Sequence, residues 1–210
     1  MPVRPFTSDA EVVRFAEEFL DEHRKRFEKD IAICLKANDE NSHAYFPALI
    51  TCIGFLDLLS GLFAGTLEWQ RLPELKNYAH HFMSPEYTPD CLEVLYECFR
   101  HKVAHLALPY VVFDTNTKPE KFHGRPRRLI TWIVHDSGPR PPIKIDPVRG
   151  QILSAATPWP VFYDHIAVIS IDGFASDIVE SIPKYLHHLQ KDNTALSRFR
   201  TCMSTTFIKS

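Results

Sequence analysis

The stretch from Ala44 to about Leu67 is apolar nearly all round a helical wheel, with Asp57 as its one ionised side chain. A helix of that length spans about 36 Å, enough to cross a bilayer. Against that, a charge at mid-segment costs about 2.5–3.5 kcal/mol on the insertion scale. Thr51, Ser60 and the glycines dilute the hydrophobicity further, and no Lys or Arg stands immediately before the segment to set a topology. The segment therefore reads as a buried central helix, with Pro47 admissible only in its first turn. Such a helix must be covered on all sides, which predicts a mainly α-helical bundle and no membrane partner. Gly54, Asp57, Gly61 and Gly65 fall on one side of it and would let another helix approach closely. A carboxylate in that strip needs a partner, because leaving it unpaired costs several kcal/mol. Arg100 is the preferred partner, then His101 or His105; local Ser, Thr or backbone groups are the alternative.

Helical patterning continues on both sides. Ser8 and Glu11 form a capping box, and Val12, Phe15, Phe19, Phe27, Ile31 and Leu35 keep a helical spacing to about Ala37. Glu17, Glu18, Arg24, Lys25 and Lys29 make the solvated face of this helix. A shorter helix is expected around Pro73 to Phe82, with His80 and His81 at the surface. Asp172 can cap a helix from Gly173 to about Gln190, kinked at Pro183, with His187 and His188 suiting its negative end. Asn193 to Phe207 adds a last short helix. Between these lie Pro119, Pro126, Pro139, Pro141, Pro142, Pro147, Pro158 and Pro160, which exclude long helices. Leu129 to His135 and His165 to Asp172 are strand-like, so a small antiparallel sheet is expected within about 129–172. One domain over 1–210 follows, its helical core at about 8–109 and 173–207 and a proline-rich insertion at about 110–172.

The most informative stretch is Thr88 to Pro109. Thr88 can cap a helix, Pro89 suits its first position, Asp90 complements its dipole, and Pro109 ends it. Leu92, Leu95, Tyr96, Phe99, Val103 and Leu106 share one face; Arg100 borders it, and His101 and His105 lie further round, one turn apart. Arginine, a polar residue, three more residues and histidine near the end of a helix resemble the signature of the HEPN superfamily (higher eukaryote and prokaryote nucleotide-binding domains). The resemblance covers the helical parts. It implies a HEPN-like bundle, a homodimer with the cleft between protomers, and metal-independent endoribonuclease chemistry by Arg100 and His105, with His101 as a polar helper and Asp57 in support.

The residue types suit that chemistry. Histidine alone has an unperturbed pKa near neutrality, as a base on a ribose 2′-OH requires. Arginine matches the oxygens of a pentacoordinate phosphorane bidentately. Lys118, Lys121, Arg125, Arg127 and Arg128 make the one basic cluster and would hold RNA phosphates, or else form a solvated loop. No cofactor is expected. His101 and His105 have the i, i+4 geometry of metal ligands, but a catalytic zinc needs a third protein ligand and none is evident. The other readings are a non-catalytic HEPN-like module binding nucleotide, RNA or a partner, such as a cognate neutralising protein, and a surface with an incidental motif. A net charge of -2 excludes bulk nucleic-acid binding, so any RNA contact is local. Five scattered cysteines without a zinc pattern suggest buried thiols in a reducing compartment, and acidic residues near the start argue against a signal peptide, so a cytoplasmic protein is expected.

Overall fold

The computed structural model describes residues 6–39, 44–67, 72–96, 99, 113–114, 129–138, 141–154 and 157–208. Among them are the helices α1 (Asp9–Asp39), α2 (Tyr45–Ala64), α3 (Leu72–Phe82), α4 (Pro89–Val94), α5 (Ile171–Lys191) and α6 (Asn193–Ile208). The strands are β1 (Phe113–Asp114), β2 (Leu129–His135), β3 (Ile143–Ser154) and β4 (Thr157–Ser170). The protein is mainly helical with a small sheet.

α2 is the centre, packed against α1, α3, α5 and α6. It is long and apolar enough to cross a membrane, yet most of it is buried inside the bundle. It ends where Gly65 takes a left-handed φ of 88° and its amide bonds the Gly61 carbonyl. A Cβ at Gly65 would also lie 3.2 Å from the Cβ of Arg198, so α6 does come close there. At Gly54 a Cβ would meet nothing within 4 Å among the described residues.

α1 starts at a capping box shifted by one residue. Ser8 Oγ accepts from the Glu11 amide, but the Glu11 carboxylate takes the Thr7 amide (2.7 Å) and hydroxyl (2.8 Å), not the amide of Ser8. The charged face of α1 pairs with itself, as in Arg24 with Asp21 at 2.7 Å and Glu28 at 3.1 Å. α5 begins at Ile171, two residues before the expected start, directly off β4. Asp172 therefore lies inside its first turn, where its carboxylate accepts from the Gly173 amide and the Ser170 hydroxyl. α5 continues through Pro183, whose ring faces solvent. Asp192 then joins two helices: its amide bonds His188 O (2.9 Å), and its carboxylate accepts from the Thr194 and Ala195 amides at 2.8 and 3.2 Å.

The sheet corrects the antiparallel expectation. Its order is β1-β2-β4-β3, with β2 parallel to β4 and the other pairs antiparallel. The chain reverses after β2 to make β3 and reverses again into β4, which inserts between the two; two reversals leave β2 and β4 pointing the same way. Ile130 pairs with His165 and His135 with Ser170, while Ile143 pairs with Ile169 across the β3–β4 ladder. β1, at 113–114, lies outside the expected 129–172. Pro147 sits in the edge strand β3, the position where a missing N–H costs least. Past the bulge that follows, a Cβ at Gly150 would sit 2.3 Å from Tyr163 Oη, so a side chain there would have to displace the end of the Tyr163 ring. Ile130, Ile143, Ala167 and Ile169 are buried in the same hydrophobic cluster as the bundle.

Candidate functional site

α4 opens as its sequence dictates. Thr88 is extended at φ -62° and ψ 156°, and its hydroxyl accepts from the Cys91 amide at 3.3 Å. Pro89 follows at the first helical position. Of the expected apolar stripe, Leu92, Leu95, Tyr96 and Phe99 are all buried, Val103 and Leu106 lie outside the described residues, and the Phe99 ring meets Trp132 of β2 edge-on with centroids 5.5 Å apart. At Leu95, Tyr96 and Phe99 the winding loosens to π-helical. Single π turns inside α-helices occur often at functional sites.

Arg100, His101 and His105 lie outside the described residues, as do Lys118, Lys121, Arg125, Arg127 and Arg128. The expected mutual packing of α2 with the helix to Ala107 falls largely on the same residues; α4 itself packs chiefly on α3 and β3. Asp57 is described, and it is buried at 8% exposure. The nearby Ser60 hydroxyl donates to the backbone carbonyl of Asp57 at 2.9 Å, so that hydroxyl is not committed to the carboxylate.

Three further buried ionisable groups escaped the sequence reading. Glu93 of α4 takes Lys76 of α3 at 3.3 Å, Asp177 of α5 accepts from the Tyr87 hydroxyl at 2.7 Å, and His165 of β4 is buried. Signals for two of them were present. Asp177 falls on the Phe174–Ile178–Tyr185 stripe, and His165 alternates with Ala167 and Ile169 on the inner face of β4. Cys52, Cys91 and Cys202 are buried free thiols, and Cys34 is half-buried. Burial pushes the Cys202 thiol up to about 11 and raises those of Cys34, Cys52 and Cys91. These thiols stay protonated near neutrality and are poor nucleophiles.

No model of a known family, no characterised protein and no solved structure matches this chain. The site's own chemistry carries the functional argument.

Among the described residues, no three His, Cys, Asp or Glu side chains come together as a set that could hold a metal ion. The cavity nearest the start of the motif helix holds about 370 Å³. It lies between the entry to α4 (Glu86, Thr88, Asp90, Cys91) and the sheet (Pro141, Ile143, Lys144, Ile145, His165).

Proposed function

We propose that this chain is a HEPN-like, metal-independent endoribonuclease acting as a homodimer, with Arg100 and His105 of each protomer in a shared cleft. One observation carries the reading: a capped helix whose described apolar residues, Leu92, Leu95, Tyr96 and Phe99, are buried turns π-helical at Leu95, Tyr96 and Phe99, just ahead of Arg100 in the sequence. A helix so anchored can hold a catalytic pair in fixed geometry, which is what positional catalysis requires.

In this mechanism His105 removes the proton from a ribose 2′-OH. The 2′-oxygen attacks the adjacent phosphorus, the bond to the 5′-oxygen breaks, and that oxygen leaves with a proton from solvent, giving a 2′,3′-cyclic phosphate end. Arg100 stabilises the charge gathering on the phosphate oxygens. His101 assists, Asp57 orients Arg100 from α2, and Lys118, Lys121, Arg125, Arg127 and Arg128 hold flanking phosphates.

The test is cleavage of labelled single-stranded RNA in EDTA. His105→Ala should lower the rate by about 10²–10⁴, the usual general-base contribution, with an unchanged circular dichroism spectrum. Equal cleavage by the variant, or loss in EDTA restored by zinc, would overturn the reading.

A further inference from the structure

Among the described residues β3 is an edge strand, and most of its free side is protected against pairing. Pro147 has no N–H to offer, a bulge follows between Pro147 and Gly150, and Lys144, Asp146 and Arg149 place charges along it. These are the devices by which proteins keep sheet edges from adding strands. One window escapes them. The Ser170 amide bonds the Pro142 carbonyl at 2.7 Å, so Pro142 and Lys144 turn their backbone groups toward β4. Alternation then turns those of Ile143 and Ile145 outward. The Cys91 thiol lies 3.9 Å from the Ile143 carbonyl, consistent with that direction. Ile145, whose N–H and C=O point away from β4, also lines the 370 Å³ cleft between β3 and the start of α4.

The cleft has a definite charge. Glu86 and Asp90 stand on its helical side, and among the described residues neither takes part in an ion pair. Among the described residues, the Glu86 carboxylate receives the Ser84 hydroxyl, at 3.4 Å. Lys144, on the opposite side, is already neutralised by Asp146 at 2.9 Å. An apolar floor of Ile143, Pro141 and Cys91 lies below.

We infer that this cleft docks a short, extended, basic peptide segment of a partner protein, which adds a strand to β3 at Ile145. Its main chain takes the N–H and C=O of Ile145, and a Lys or Arg side chain reaches Glu86 and Asp90. Pro147 offers no N–H and the bulge after it breaks the register, which limits the added strand to about three residues. A groove between a helix and an edge strand gives affinity through main-chain bonds and selectivity through side-chain subsites. The docking site uses none of the residues of the proposed cleavage site, so either assignment can fail alone.

The probe is a blocked five-residue peptide with lysine at its second and fourth positions, titrated into the full chain by fluorescence anisotropy. The Ile145 amide is followed by NMR hydrogen exchange. Binding should slow exchange at Ile145, and Glu86→Gln with Asp90→Asn should weaken it about tenfold or more, as for loss of charge-assisted bonds. N-methylation of the central peptide bond should abolish it. Three results would overturn the inference: equal binding of a glutamate-for-lysine peptide, binding indifferent to N-methylation, or protection of Ile145 by oligo-RNA and not by the peptide. Melting curves of the double variant confirm folding, and the N-methylated peptide keeps the test decisive even if that variant is unstable.

Discussion

The helical bundle and the sheet meet the same burial requirement by different means. In the bundle, side chains such as Leu56, Tyr78, Phe174 and Phe199 are closed off on every side. Two of its polar pairs bridge distant segments, Tyr78 of α3 to Ser181 of α5 at 2.8 Å and Tyr87, between α3 and α4, to Asp177 of α5 at 2.7 Å. The sheet is less fully covered among the described residues. Ile130, Ala167 and Ile169 point inward, while Ile133 is 43% and Phe162 65% exposed. Stability is therefore concentrated in the bundle, and the sheet is a surface applied to it.

Substitutions can break that contrast. Phe174→Ala should cost about 3–5 kcal/mol in denaturant unfolding, the range for deleting a buried aromatic ring. A loss under about 1 kcal/mol would mean that α5 is not core. Tyr87→Phe should cost about 1.5–3 kcal/mol, because it removes a hydrogen bond to a buried carboxylate; no loss would mark that bond as dispensable. At the other end of the scale, Phe162→Ala should stay within about 0.5 kcal/mol, as for surface changes that touch no special feature. A larger cost would show that something covers the ring in solution.

Alkaline titration sharpens the same comparison. Desolvation raises the Cys52 thiol above its ordinary 9.0 and the Tyr78 phenol above 10.0. Both remain protonated in the fold after the unfolded chain has begun to ionise. Their stabilisation is thus complete below about pH 9 and is lost as pH rises through the folded values. The melting temperature should fall between pH 9 and 10, less steeply in Cys52→Ala than in the wild type. Parallel curves would show that the thiol is not desolvated.

Much of the bundle was legible because 3.6-residue periodicity survives a change of neighbours. The stripe of α1, the apolar residues expected along α5 and the all-round apolarity of α2 each name an element and its burial. The sheet was less legible. Strand propensity locates β2 and the end of β4 but carries no direction, and whether β4 lies beside β2 or beyond β3 depends on contacts distant in sequence. End effects were misjudged where two neighbouring residues could serve equally, as with Thr7 and Ser8 before Glu11. Asp177 and His165 were overlooked because a polar residue on an apolar face is easily read as an interruption of the pattern. In the candidate site, the capped helix start and the described part of its stripe, Leu92 to Phe99, were legible. The Arg100 and His105 assignment itself comes from a short motif, and its geometry falls on residues outside those described.

The central claim is the shared cleft, and mixing two inactive variants tests it most directly. An Arg100→Ala homodimer has two histidines and no arginine in the site, and a His105→Ala homodimer has the reverse. Refolding the two together gives heterodimers whose single cleft regains one arginine and one histidine. RNA cleavage in EDTA should then partly return. A mixture as inactive as its parents, with heterodimers confirmed by native mass spectrometry, would contradict the shared site and favour a binding module without catalysis.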